Sequence, residues 1–346
     1  MCDGPINRDF GSRDKLRHSC ENSGPPEAWT HNNHMSTAAH GIHTIDTGFH
    51  RAQFDAAYLV VEKGRAAFID SGINSSLAQM LAALAEAGCT PEQVDWLILT
   101  HVHLDHAGGA GQLLAHLPNA RLVIHPRGAR HMIDPTALIA GATAVYGAEE
   151  VHKTYGELVP VPADRVVEAP DQHSVDLAGR ALLCLDAPGH ARHHIVIYDQ
   201  RARAFFTGDT FGLSYRELDG PNGPYILPTT TPVQFEPDAL KASIRRMLSH
   251  RPERMYLTHF GGVDHPEQLA TQLLEQIDAM TEIGRRFAAH PDRHAQICRA
   301  LRALYVDRAR ALETPLSEAE VVEVLAMDIE LNAQGLGVWL DRSARG

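Results

Sequence analysis

Short apolar runs that end in polar residues recur along this chain of 346 residues. Residues 44–48, 57–61 and 66–70 read as three strands, with Glu62-Lys63-Gly64-Arg65 as the hairpin turn between the last two. Ser71-Gly72 breaks the pattern. Leucines at 77, 81 and 84 then fall at helical spacing over residues 75–87, which stop at Gly88-Cys89 ahead of Pro91. Residues 96–99 read as a buried strand, and so do residues 121–125, which end at Pro126. The mixed pattern of residues 127–162 predicts short helices and a long connection lying over the end of the strands. Short strands follow at 166–167, 172–177, 181–185, 194–198 and 204–206, then a helix over 237–249 and a strand at 255–257.

From Pro266 onward the pattern is helical, with breaks at Pro291 and Pro315. Leu269, Leu273, Leu274, Ile277 and Met280 share one face, as an amphipathic helix packed on the body of the protein would have them. The apolar run Leu336-Gly337-Val338-Trp339-Leu340 is expected to be buried, against the protein or a second subunit. The alternation of strands and helices falls into two similar halves about residue 165. It predicts an α/β fold of two packed sheets with helices outside. Residues 1–40 are polar, without periodicity, and are expected to be a disordered leader; Met35 is an alternative start.

Composition narrows the partners. A net charge of −12 argues against non-specific binding to nucleic acid or to an anionic membrane. No apolar run reaches the roughly 20 residues that span a bilayer, and no secretory h-region is recognisable at the amino terminus. Cys2, Cys20, Cys89, Cys184 and Cys298 are odd in number and scattered, as reduced thiols of a cytoplasmic protein would be.

The chemistry concentrates in Thr100-His101-Val102-His103-Leu104-Asp105-His106-Ala107-Gly108-Gly109, a loop leaving the strand at 96–99. The two glycines are expected to let the backbone turn tightly into a helix through Gln112-Leu113-Leu114. Imidazoles and a carboxylate crowded within six positions suit a cation such as zinc or iron. The alternative is a solvated polar loop in a chain with 22 histidines. Three further strands end in the same way and complete the set: Pro188-Gly189-His190, Thr207-Gly208-Asp209 and Thr258-His259. Strand ends hold ligands rigidly.

These motifs, over roughly residues 43–265, resemble the metallo-β-lactamase superfamily. The resemblance implies an αββα sandwich, here residues 41–265, followed by a helical C-terminal region over 266–346. It also implies two divalent metal ions: one held by His101, His103 and His190, the second by Asp105, His106 and His259, with Asp209 bridging. Zinc is the expected metal, with iron or manganese as alternatives. Asp105 and Asp209 would be the catalytic carboxylates.

The Asp-x-Gly strand end of the family places Asp70 beneath the site, orienting a ligand histidine. His193 and His194, read as strand neighbours, would face opposite ways, so at most one points at the metals. The Gly/Pro-rich segment 212–232 could cover the site and bring the phenol of Tyr215 or Tyr225 to an oxyanion.

Within the superfamily the metal loop and Thr-Gly-Asp-Thr segment are similar to glyoxalase II, and His-x-His-x-Asp-His-Ala-Gly-Gly to quorum-quenching lactonases. The segment at 189–194 is similar to that of prokaryotic hydrolases with a GHAxHH motif. The implied function is hydrolysis of a small ester, thioester, lactone or phosphodiester by a metal-bridging hydroxide. The alternative is an iron redox protein on the same fold, either a di-iron oxygen-binding protein or a mononuclear persulfide dioxygenase. The expected partner is a small-molecule substrate, with no nucleic acid or membrane, and the C-terminal helices could form a homo-oligomer.

Overall fold

The structure, a computed structural model, describes residues 39–230 and 234–345. The expected leader lies outside the described residues except for its last two positions, as do Cys2, Cys20 and the last two residues of the 212–232 segment.

The first half of the chain builds β1 (Ile42–Asp46), β2 (Ala56–Glu62), β3 (Arg65–Ile69), α1 (Leu77–Glu86), β4 (Val94–Ile98), α2 (Leu104–Ala107), α3 (Ala110–His116) and β5 (Arg121–Ile124). Three helices follow, α4 (Pro126–Ile133), α5 (Thr136–Tyr146) and α6 (Ala148–Tyr155), and then β6 (Val166–Glu168). The second half contributes β7 (His173–Leu177), β8 (Arg180–Asp186), β9 (Ile195–Asp199), β10 (Ala204–Gly208), α7 (Pro237–Ser249), β11 (Arg254–Leu257) and β12 (Gly261–Asp264). The chain closes with α8 (Pro266–Phe287), α9 (Arg293–Leu312), α10 (Glu318–Val324) and α11 (Ala326–Ser343).

Each half makes one six-stranded sheet, in the order β1-β2-β3-β4-β5-β6 and β12-β11-β10-β9-β8-β7. The pseudo-repeat about residue 165 is thus the division between the two sheets. A shared cluster of Tyr58, Ile69, Ile98, Leu182, Ile197 and Phe206 fills the space between them. The other face of the first sheet packs on α1 and α3 through Phe68, Leu97, Met80 and Leu113. Strands buried on both faces need near-continuous apolar sequence, which is why Ala56–Glu62 and Arg65–Ile69 carry so few polar residues.

Among the described residues, the helical region shares its core with the second sheet. Leu269, Leu273, Ile277 and Met280 of α8 and Leu336 of α11 share one cluster with Phe205, Met255 and Leu257 of the second sheet. The apolar face expected on α8 meets the body of the same chain; of the run expected to be buried near the C-terminus only Leu336 is fully buried, while Gly337, Val338, Trp339 and Leu340 are half-buried.

Two expectations change. His194 precedes β9 instead of belonging to it, so the alternation that would set His193 and His194 on opposite faces does not apply. Gly108 and Gly109 have φ of −60° and −85°, helical values open to any residue. Close approach explains both: a Cβ on Gly108 would sit 2.4 Å from the Leu104 carbonyl oxygen, and one on Gly109 2.7 Å from that of Ile73.

Candidate metal centre

The loops after β3, β4, β8, β10 and β11 meet at one edge of the sandwich and bring all seven expected ligand side chains together. His101, His103, His190 and Asp209 place ligand atoms within 4.8 Å of one another, and so do Asp105, His106 and His259. In the first group, His103 Nδ1 lies 2.7 Å from His101 Nε2 and 3.1 Å from His190 Nε2. In the second, His259 Nε2 and His106 Nε2 lie 3.5 and 3.7 Å from Asp105 Oδ2. Asp209 faces both groups. Its Oδ2 is 3.3 Å from His190 Nε2, and its Oδ1 is 3.3 Å from His106 Nε2 and 3.6 Å from His259 Nε2.

This arrangement fits a pair of cations. His106 Nε2 and Asp209 Oδ1 are buried and make no hydrogen bond despite their proximity. Buried polar atoms without a hydrogen bond are costly, and a cation between the two would satisfy both.

The far side of three of the rings is tied down. Asp70 Oδ2 lies 3.0 Å from His106 Nδ1, and the same carboxylate accepts from the Thr100 amide and hydroxyl and the Thr258 hydroxyl. Asp70 therefore sits beneath the expected ligands, beside a ligand-type histidine. His259 Nδ1 meets the Phe54 carbonyl at 2.9 Å, and His190 Nδ1 the Thr229 carbonyl at 3.4 Å. With Nδ1 donating, Nε2 is the nitrogen turned inward in each of these three rings.

Charge divides the site. Burial and neighbouring imidazoles hold His101 and His103 well below the usual histidine range. Burial also lowers His106, but Asp209 and Asp105 outweigh it and hold the ring well above that range. His259 follows the same balance and rises to about 9. Asp105 and Asp209 stay ionised because these imidazoles overcome the effect of burial.

His193 and His194 both stack near His101, with ring centroids 6.2 and 4.6 Å away. His194 is a strut. Its Nε2 accepts from the Asp209 amide at 3.2 Å, and its Nδ1 pairs with the Thr210 hydroxyl at 3.2 Å. The backbone passes so close that a Cβ on Gly208 would lie 2.5 Å from His194 Nε2, and Gly208 has φ +47°. His193 is buried with Nδ1 unpartnered, and burial pushes it down to about 3.

The tyrosines go elsewhere. Tyr225 donates to the Tyr305 carbonyl at 3.2 Å, and Tyr215 to Asp328 Oδ1 at 3.3 Å. Neither phenol is brought to the donor groups, although Tyr215 stacks on Phe54, which in turn meets the His259 ring. Segment 212–230 does wall the site: the Ser214 amide donates to the His259 carbonyl, and the Thr229 carbonyl meets His190. From the first half, α4 reaches the His190 loop through Arg127, whose Nη1 donates to the Arg192 carbonyl at 3.2 Å.

Sequence reasoning missed Phe54, which acts through its backbone, and Asp55, a buried carboxyl raised by desolvation to about 7 against the pull of His259 and His106. It also gave no role to Thr100 and Thr258. Their signal was present, since a threonine precedes both His101 and His259. Cys89, Cys184 and Cys298 are free, and burial raises each thiol, Cys184 to about 12 and Cys298 to about 11. None is poised as a nucleophile.

Two mixed sheets flanked by helices, with a His/Asp cluster at one edge, define a metallo-hydrolase type of fold. The family model of the metallo-beta-lactamase superfamily matches residues 52–259, and the chain belongs to that superfamily. It is similar to a metallo-beta-lactamase fold-containing protein of Sulfurisphaera tokodaii, at 27% identity over 70% of this chain and 89% of the relative. A hydroxyacylglutathione hydrolase of Acidiphilium cryptum is 28% identical over 80% of this chain and 85% of its own length. Among solved structures, a metallo-beta-lactamase family protein of Thermus thermophilus superposes with a TM-score of 0.59 at 22% identity, over 83% of this chain and 93% of that one. That likeness shows the fold. No helix among the described residues is long and apolar enough to cross a membrane.

Proposed function

We propose that this chain is a binuclear metal-dependent hydrolase of small esters, with thioesters and lactones ahead of phosphodiesters. The observation that carries the reading is Asp209, whose two carboxylate oxygens face two separate groups of ligand-type atoms. His101, His103 and His190 would hold one cation, Asp105, His106 and His259 the other, with Asp209 shared. A cation pair bound there would lower the pKa of water and polarise a carbonyl or phosphoryl oxygen.

The chain's own residues set the conditions for that chemistry. Asp70, the Phe54 carbonyl and the Thr229 carbonyl fix three imidazoles with Nε2 inward. Asp105 is the most open of the carboxylates at the site, with its side chain 25% exposed. Held ionised, it accepts a proton only weakly, so it suits a relay to solvent better than a strong base. The 212–230 segment excludes water from the His190 and His259 side. The likeness to a hydroxyacylglutathione hydrolase over most of both chains supports a thioester first. The net charge of −12 weighs against a long polyanion.

The test is a panel of thioesters, lactones and bis(p-nitrophenyl) phosphate, offered to zinc-, manganese- and iron-loaded protein. Turnover of a thioester or lactone is expected. It should vanish in His103→Ala and Asp105→Ala while circular dichroism shows the fold intact. A nitrogen- and oxygen-rich donor set also accepts iron. If every metal form is inert while the iron form consumes oxygen, the redox alternative replaces hydrolysis.

A further inference from the structure

A third convergence of metal-type atoms lies away from the sandwich edge, in the helical region. His294 and Cys298 stand four residues apart on α9, on one helix face, and Glu330 reaches them from α11. His294 Nε2 is 3.1 Å from Glu330 Oε2, Cys298 Sγ is 3.5 Å from His294 Nε2, and Cys298 Sγ is 3.8 Å from Glu330 Oε2. A tetrahedral zinc ion with bonds of about 2.0–2.3 Å sets its nitrogen, oxygen and sulfur ligands about 3.3–3.6 Å apart. The three atoms therefore approximate one face of such a tetrahedron as they stand. His294 Nε2 lies equally close to Glu330 Oε1, at 3.1 Å, and Gln334 donates to that same oxygen at 2.8 Å, which orients the carboxylate.

We propose that His294, Cys298 and Glu330 form a zinc site that ties α9 to α11, separate from the candidate centre at the sandwich edge. Thiolate and imidazole together select zinc over magnesium or calcium. The sulfur would bind as thiolate, its proton passing to solvent. His294 and Glu330 are half exposed, at 50% and 52%, so the fourth position is open to water and the ion can exchange.

The site has a mechanical connection to the rest of the molecule. At about 100° per residue, Asp328 and Asn332 project from α11 on the side opposite Glu330. Asp328 accepts from Tyr215, while Asn332 accepts from the Thr230 amide and donates to the Pro228 carbonyl. Both thus hold the 212–230 segment that walls the candidate centre. An ion at Glu330 would fix the rotation of the helix whose other face braces that wall.

Cobalt is the probe, because a thiolate ligand gives Co²⁺ an intense near-ultraviolet charge-transfer band and none of the seven side chains at the sandwich edge is a thiol. The full chain titrated with Co²⁺ should develop that band, and excess Zn²⁺ should bleach it. Cys298→Ser should abolish the band and lower bound zinc by one equivalent per chain. His294→Ala should weaken the cobalt titration by at least about tenfold. In the unmodified chain, zinc should slow alkylation of Cys298, read by peptide mass mapping. A cobalt-loaded chain without the band, a band that survives Cys298→Ser, or alkylation at the same rate with and without zinc would each overturn the proposal.

Discussion

His106 and His259 each brace their outer nitrogen on a firm acceptor, the Asp70 carboxylate at 3.0 Å and the Phe54 carbonyl at 2.9 Å. His103, in the neighbouring group, faces two other imidazoles at 2.7 and 3.1 Å. Charge follows the same division. Asp105 and Asp209 lie beside the first pair of rings and favour their protonation, whereas burial and like neighbours keep His101 and His103 neutral. A cation entering the imidazole-rich group meets donors that are already deprotonated. One entering the carboxylate-rich group must first displace protons. The two halves of one centre should therefore differ in filling order and in response to pH.

The largest effect should come from removing what the halves share. Asp209→Ala should empty both groups together and lower turnover by more than about 100-fold, since even outer partners of metal ligands cost 10–100-fold. Metal analysis after desalting, beside the kinetics, checks it; retention of one full equivalent would show that the groups are independent.

Next in size, His259→Ala should release one equivalent and spare the other. Isothermal titration should then keep the tighter of two binding steps and lose the weaker. If the tighter step disappears, the filling order inferred from the neutral imidazoles is reversed.

Asp70→Asn keeps the shape of the brace and removes its charge. It should weaken the carboxylate-rich group by about 10–100-fold while leaving the other within a few-fold. Equal losses at both would make Asp70 a scaffold for the whole loop.

The smallest effect is one of pH. His259 is raised in the fold from near 6.5 to about 9. In the metal-free protein its protonated form contributes stability that is fully present below about pH 6.5 and is lost as pH rises towards 9. Thermal melting of the metal-free chain should fall across that window. Cation affinity of the carboxylate-rich group should rise over the same range, with the imidazole-rich group nearly flat. Parallel affinity profiles for both groups would remove the distinction.

Much of this candidate site is legible in the chain because its residues are exceptions to their surroundings. His190, Asp209 and His259 each end an apolar run that has no other reason to stop on a metal-type side chain. The two-sheet fold was legible for the related reason that doubly covered strands must be apolar. What escaped was geometry without a side-chain signature. β12 is Gly-Gly-Val-Asp, with one β-branched residue to announce it. The Phe54 carbonyl is backbone, and nothing in the residue type foretells it. His193 and His194 escape strand alternation because they lie in the turn ahead of β9. Tyr225 lies in the expected covering segment, yet its hydroxyl is taken up by α9, a long-range pairing that local pattern cannot supply.

The division of the sandwich into two sheets, one from each half of the chain, has a consequence for assembly. Each donor group draws on both halves: His101 and His103 with His190, and Asp105 and His106 with His259. Neither half can hold a cation pair by itself. A chain cut between α6 and β6 should yield two fragments that bind little metal apart and recover the centre on mixing, so metal uptake becomes a complementation assay for docking of the two sheets. In the intact protein the same arrangement makes a bound cation a clasp, closing a loop between distant parts of the sequence and drawing on the entropy that loop would otherwise keep when unfolded.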